Sequence, residues 1–284
     1  MRLFVSDLDG TLLDGSGRLS AFARRELERL LERDLPFTVA SARSAASIRP
    51  IFDGLPLRLP VIEFNGAFLT DLASGRHLLC RALAPAIVEA LVEEGTRRGL
   101  PPFLSAFDGA ADRLHFLPPV NEGWRWYVED RTRARDARVN PVRDLRPYLG
   151  EQIVCLTFIG LSDAIEPLCA LVEERFLDRV RLTVMPNMYN PGWLWMTVHD
   201  REATKARAIE TLAADLGIAM ADVTVFGDEV NDIPMFEAAG RAVAVGNAHP
   251  RLKAAAHAVI EPHGADSVVR YLLACWPPSS ARRG

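Results

Sequence analysis

Arg2-Leu3-Phe4-Val5-Ser6-Asp7-Leu8-Asp9-Gly10-Thr11-Leu12-Leu13 is the stretch on which the reading of this chain turns. Residues 2–5 suit a buried strand and are far too few to cross a membrane. Side chains i and i+2 of a strand point to one side, so Asp7 and Asp9 are expected to project together. Gly10 then lets the backbone turn away. Two neighbouring carboxylates repel each other, and burying them uncompensated is expensive. A hard cation such as Mg2+ supplies the compensation. A carboxylate so placed can also attack a phosphoryl group, because aspartyl phosphates are an established form of covalent catalysis.

Far downstream the pattern repeats. Val223-Thr224-Val225-Phe226-Gly227 is another apolar, β-branched run closed by glycine, followed by Asp228-Glu229-Val230-Asn231-Asp232 and a helical-looking stretch, 233–239. Ligands of open α/β sheets bind outside the carboxyl ends of strands, so both acidic loops are expected on that edge. Asp7, Asp9 and Asp228 would then share one metal, with Asp232 either a further ligand or a residue that orients one. Alone, each loop has a plainer reading, the first as a turn and the second as a solvated helix cap. Together, at matching strand ends, they point to a site.

The 284 residues suit one large domain or two ordinary ones. Hydrophobic content of 49% and charged content of 25% are those of a soluble globular protein. A net charge of −4 lacks the basic footprint of a nucleic-acid binder. No apolar run is long enough for a membrane helix, and no secretory leader is seen. Cys80, Cys155, Cys169 and Cys275 are scattered without metal-ligand spacing, and read as reduced core residues of a cytoplasmic protein. His-Glu-x-x-His, Gly-x-x-x-x-Gly-Lys and Gly-x-Ser-x-Gly patterns do not occur, which sets those enzyme classes aside.

Ser20 is expected to cap a helix lined by Leu27, Leu30, Leu31 and Leu35 and ended by Pro36. Strand 37–41, helix 44–52 and strand 61–64 follow, an alternation that implies a parallel sheet. From about residue 81 the character changes. A helix at 82–98 gives way to a stretch, 101–150, rich in Pro, Arg and Asp with weak periodicity; then come strand 153–159, helix 162–177 and strand 180–185. The apolar run 193–198 is expected to lead back to the core. The fold class expected is α/β, a Rossmann-like parallel-sheet core (1–80 and 190–284) with an α/β cap domain inserted at 81–189. The aromatics of 124–126 and 189–195 are expected to pack rather than to bind a sugar ring, and the tail from Trp276 onward to fray.

Asp7-x-Asp9-Gly-Thr-Leu-Leu, with Gly227-Asp228-x-x-Asn231-Asp232 downstream, resembles the haloacid dehalogenase superfamily of phosphohydrolases, and more closely its Cof-type branch with a large α/β cap. Weaker pieces match in order. Thr38-Val39-Ala40-Ser41-Ala42-Arg43 is similar to the second motif, Phe64-Asn65-Gly66-Ala67 to the Asn-Gly-Ala segment, and Thr204-Lys205-Ala206 to the lysine motif opening a helix. Ala244-Val245-Gly246-Asn247-Ala248 is similar to the Gly-Asn-Ala turn. The chain departs from the pattern at Ser41-Ala42-Arg43, where Thr-Gly-Arg is common. It departs again at His263-Gly264-Ala265-Asp266, where many relatives show Asp-Gly-Val.

The resemblance implies Asp7 as nucleophile and Asp9 as the acid that protonates the leaving alcohol and then the base for water. It implies Mg2+ held by Asp7, the backbone carbonyl of Asp9, and Asp228, and phosphate oxygens held by Ser41 and Lys205. Asn231 would hold Lys205 or a metal-bound water. Asn65 would contact the substrate or brace the phosphate site, although Asn-Gly is also a common turn. Arg43 is either a substrate-facing cation or a surface salt bridge. The expected function is a Mg2+-dependent phosphatase acting on a small phosphorylated metabolite such as a sugar phosphate. The rivals are a phosphotransferase or phosphomutase on the same scaffold and a non-catalytic phosphate sensor; the sensor has no need of the leaving-group acid Asp9.

Overall fold

The computed structural model describes residues 2–187 and 190–276. Tyr189 and the tail beyond Trp276 lie outside the described residues. Two compact units are formed: residues up to Leu79 together with those from Thr204 onward, and Cys80–Ala203. The chain begins with β1 (Leu3–Ser6), α1 (Ala21–Glu32), β2 (Phe37–Val39), α2 (Ala45–Phe52), β3 (Val61–Glu63), β4 (Phe68–Thr70) and β5 (His77–Cys80). The second unit holds α3 (Pro85–Arg97), β6 (Phe103–Phe107), β7 (Asp112–Phe116), α4 (Glu122–Arg133), β8 (Val139–Pro141), β9 (Gln152–Gly160), α5 (Ser162–Phe176), β10 (Val180–Pro186) and β11 (Leu194–Asp200). The chain then returns through α6 (Lys205–Asp215), β12 (Val223–Gly227), α7 (Ile233–Ala238), β13 (Arg241–Ala244), α8 (Pro250–Ala255), β14 (Ala258–Val259) and α9 (Ser267–Cys275).

The first unit is built on a parallel sheet in the order β14-β13-β12-β1-β2. All four residues of β1 and all five of β12 are buried, which is why these strands read as predominantly apolar runs. They pair in register from Leu3 with Val223 to Ser6 with Phe226. Their carboxyl ends therefore lie side by side, and each opens into its acidic loop. Ser20 caps α1 as expected, its Oγ accepting from the Ala23 amide at 2.9 Å. The helix stops at Glu32, however, and Asp34 takes a left-handed φ of 56° before Pro36 is reached. Leu35 is buried from outside the helix.

The second unit carries a six-stranded sheet in the order β10-β11-β9-β6-β7-β8. Alternation along its strands divides two clusters. Leu104, Leu156 and Phe158 pack with Ile87 and Leu91 of α3 and Ile165 and Leu168 of α5, whereas Phe103 and Ile159 pack with Trp124 of α4. The stretch 101–150, weakly periodic in the sequence, holds β6, β7, α4 and β8, whose charged exposed positions mask the short apolar periods. One expectation is corrected here. The run from Leu194 does not lead back to the first unit. It is β11, paired antiparallel with both β10 and β9, so the return falls at Thr204 rather than at 190.

Trp124 is fully buried, 4.6 Å from the Phe103 ring, so the packing role expected of it holds. Trp276 is anchored rather than frayed, because its backbone carbonyl accepts from Arg33 and its indole donates to the Arg33 carbonyl. All four cysteines are free thiols. Among the described residues no helix is long and apolar enough to cross a membrane.

Candidate active site

The first acidic loop leaves β1 at Ser6. The Asp7 amide still donates to the Phe226 carbonyl at 2.9 Å, and then a single wide turn, Leu8–Leu12, takes over. Gly10 makes that turn possible on two counts. Its φ is +72°, and a Cβ there would run into the Asp228 carboxylate. Thr11 donates from Oγ1 to Asp228 Oδ1 at 3.0 Å, so the first loop itself orients the second.

Lys205 opens α6, whose N-terminus is capped by Thr204 Oγ1 accepting from the Arg207 amide at 3.1 Å. A cation is unfavourable at a helix N-terminus, so the helix is no reason for a lysine there. Two carboxylates are: Nζ lies 2.6 Å from Asp7 Oδ1 and 2.7 Å from Asp232 Oδ1. The other oxygen of Asp232 accepts from the amides of Asp228 and Glu229, at 3.1 and 3.3 Å. Both oxygens of Asp232 thus have hydrogen-bond partners, one the Lys205 ammonium and the other two backbone amides.

One oxygen each from Asp7, Asp228 and Asp232 lie within 4.8 Å of one another, and all three residues are buried. Burial, opposed by Lys205 and reinforced by Asp232, holds the Asp7 carboxyl well above the usual carboxylate range. Burial and the Asp232 charge push Asp228 up to about 6. Burial alone would lower Lys205, but Asp232 and Asp7 together hold it above its ordinary value. Three carboxylates against one ammonium leave a net charge of −2 when all are ionised. The donor set is all oxygen, and its excess charge is that of one hard divalent cation with the sign reversed, so the residues present fit such an ion.

Asp9 departs from expectation. Strand alternation ends at Ser6, so its side chain does not join that of Asp7 but lies exposed in a bidentate ion pair with Arg43, at 2.6 and 2.8 Å. Its carboxylate is not part of the three-residue cluster; the atom expected to ligate is its backbone carbonyl. Arg43, read as either a substrate-facing cation or a surface salt bridge, is an ion pair to a candidate catalytic residue. Ser41 is buried beneath it, with Oγ accepting from the Arg43 amide at 3.1 Å. The Ser41 carbonyl accepts from the Asn65 amide at 2.9 Å.

Asn65 sits at φ +55° between Phe64 and Gly66, both also left-handed, and its buried Oδ1 has no protein partner. Gly66 is required because a Cβ there would strike the Thr204 carbonyl at the start of α6. Asn231 is exposed, and the buried Asp232, one residue on, takes the role of holding Lys205 that was expected of it.

A model of the haloacid dehalogenase-like hydrolases matches residues 4–272. The chain belongs to that family. Among solved structures, this haloacid dehalogenase-like hydrolase resembles one of the same description from Bacteroides thetaiotaomicron, at 22% identity and a TM-score of 0.81, over 96% of this chain and 99% of that one. A protein from Thermotoga maritima is 26% identical with a TM-score of 0.77, over 95% and 96% of the two chains. A sugar phosphatase of the superfamily's subclass IIB is 19% identical with a TM-score of 0.75, over 97% and 99%. The resemblance carried by the motifs, and the fold it implied, are therefore borne out across both units.

Three contacts of this hydrolase were not read from its sequence. Thr11 stood in the quoted motif but carried no role, although a hydroxyl two residues past an acid pair was a signal. Asn247 donates to the Gly10 carbonyl at 2.8 Å, and His263 Nδ1 donates to the Leu13 carbonyl at 2.7 Å. Both lie more than 230 residues from their partners in sequence, so only the fold brings them there.

Proposed function

We propose that the chain is a Mg2+-dependent phosphatase of small phosphorylated metabolites, working through an aspartyl phosphate at Asp7. The observation that carries this reading is the state of Asp7: a buried carboxylate at a strand end, one oxygen held by Lys205, facing the carboxylates of Asp228 and Asp232. Asp7 attacks phosphorus while the bond to the leaving oxygen breaks, and Asp9 gives that oxygen its proton. Water then attacks the phosphoryl group, Asp9 takes the proton, and Asp7 is regenerated. Lys205 steadies Asp7 and, with the Ser41 hydroxyl, binds nonbridging oxygens. Asp9 can act as an acid only after its pair with Arg43 opens, which frees Arg43 for the anionic substrate.

Mg2+, held by Asp7, the Asp9 carbonyl and Asp228, would screen the repulsion between carboxylate and phosphate and stabilise transition-state charge. Asp232 would orient this set from the side. The unit Cys80–Ala203 is proposed as the cap inserted in the core. Likeness in fold to a sugar phosphatase makes sugar phosphates the first class to test. The four free thiols support a reducing, cytoplasmic setting.

The test is phosphate release from a panel of phosphorylated sugars, nucleotides and cofactors, with Mg2+ and with EDTA. Release that needs Mg2+ and vanishes in Asp7→Asn is the expected result. Turnover that survives Asp7→Asn would overturn the covalent role. Turnover that appears only when a sugar acceptor is added would make the chain a phosphotransferase.

A further inference from the structure

The loop between β13 and α8 touches both acidic loops at once. The Asn247 side chain donates from Nδ2 to the Gly10 carbonyl at 2.8 Å and accepts at Oδ1 from the His263 amide at 2.9 Å. The two partners fix the amide's orientation: a carbonyl can only accept and an N–H can only donate. Two residues on, the His249 amide donates to the Asp228 carbonyl at 2.7 Å. His263 completes the ring, its Nδ1 donating to the Leu13 carbonyl at 2.7 Å, and Leu13 closes the first loop through its amide to the Leu8 carbonyl at 2.9 Å. The proton on Nδ1 is required, since the Leu13 oxygen has none to give.

We infer that Asn247 and His263 are positioning residues for this hydrolase: they brace the turn that carries Asp9 and Gly10 against the loop that carries Asp228. The inference rests on the reading of Asp7, the Asp9 carbonyl and Asp228 as the reaction centre. Gly10 lies so close to Asp228 that not even a methyl group fits between them. Any drift of the Gly10 carbonyl therefore moves the Asp9–Gly10 peptide and the Asp228 carboxylate relative to each other. Asn247 is itself exposed, and hydrogen bonds in water add little net stability. Their effect falls on geometry, where a displacement of about 1 Å can cost about a hundredfold in rate. The brace also gives a use to the segment 263–266, where this chain departs from its relatives' Asp-Gly-Val. Asp266 adds a further tie by accepting from Ser20 Oγ at 2.7 Å.

The decisive variant is Asn247→Asp, which keeps the acceptor for the His263 amide and turns an oxygen toward the Gly10 carbonyl. His263→Ala removes the donor to Leu13, and His263→Asn restores one near the Nδ1 position. With p-nitrophenyl phosphate and Mg2+, Asn247→Asp and His263→Ala should each lose about ten- to a hundredfold in kcat, with KM within about twofold, while His263→Asn stays near wild type. In EDTA, without substrate, the Leu13 amide should exchange with deuterium about tenfold faster in the two disruptive variants than in wild type or His263→Asn. Wild-type Leu13 protection in a folded Asn247→Asp or His263→Ala protein overturns the brace, whatever turnover does. A wild-type protein that releases no phosphate removes the phosphatase reading instead, and the exchange arm still decides the brace.

Discussion

Replacing Lys205 with methionine removes the one cation from the buried acidic cluster while keeping the length of the side chain. Lys205 is 4% exposed, and its ammonium lies 2.6 and 2.7 Å from Asp7 and Asp232. Its loss leaves three carboxylates facing one another at a formal −3 instead of −2. Removing one partner of a buried pair costs about 3–5 kcal/mol, because the remaining charge is neither solvated nor paired. Urea unfolding in EDTA at about pH 7.5 should therefore show Lys205→Met less stable by that amount. The loss should shrink in acid. The carboxyl pKa of Asp7 is already raised by burial and rises further without Lys205, so the folded variant takes up protons more readily than the unfolded chain. Asp232→Asn added to Lys205→Met should recover about half the loss, a coupling that a double-mutant cycle reads directly. A loss under about 1 kcal/mol, or no coupling to Asp232, would refute the claim that Lys205 is held by these carboxylates.

Asp228→Asn should stabilise the metal-free protein by about 1–3 kcal/mol at neutral pH, since Asp228 ionises against burial and the Asp232 charge. That gain should be full above pH 6, where the folded carboxyl is ionised, and gone below about pH 4, where both states are protonated. Added Mg2+ should raise the melting temperature of wild type and not of this variant; equal responses would remove Asp228 as a ligand. Gly10→Ala should cost about 1–2 kcal/mol through its left-handed φ and at least about tenfold in turnover by displacing Asp228, with kinetics and a thermal melt as the measurements. His199 is buried, its Nδ1 donating to the Val154 carbonyl, and burial lowers its pKa to about 4. Stability of the second unit is then complete above the unfolded value of 6.5 and falls by up to about 3 kcal/mol as pH drops toward 4. Tryptophan fluorescence follows that unit, which carries Trp124, Trp126, Trp193 and Trp195, and His199→Asn should flatten the dependence.

Much of the first unit was legible because its central strands are buried on both faces. Leu3, Phe4 and Val5 ahead of Ser6-Asp7, and Val223, Val225 and Phe226 ahead of Gly227, mark interior strands, and the acidic loops follow directly. Lys205 was legible for the opposite reason, being misplaced for the helix it opens. The second unit was harder. Its strands carry exposed arginines and aspartates between apolar residues, so β6 through β8 blurred into one stretch, and β11 passed for a return strand because an apolar run does not declare its partners. Asp9 was misplaced because strand alternation was carried three residues past Ser6, the end of β1.

The sequence by itself determined what is local: the apolar strand ends, the glycine that lets the first loop turn, the residue types able to bind a hard cation and attack phosphorus, and the family. The tertiary structure decided the partnerships. Lys205 against Asp7 and Asp232, Arg43 on Asp9, Thr11 on Asp228, and Asn247 and His263 across the first loop each join segments far apart in the chain. Local sequence sets which conformations a segment prefers. Which charge meets which is set by strand order, because placing β12 beside β1 is what makes two distant acidic loops neighbours.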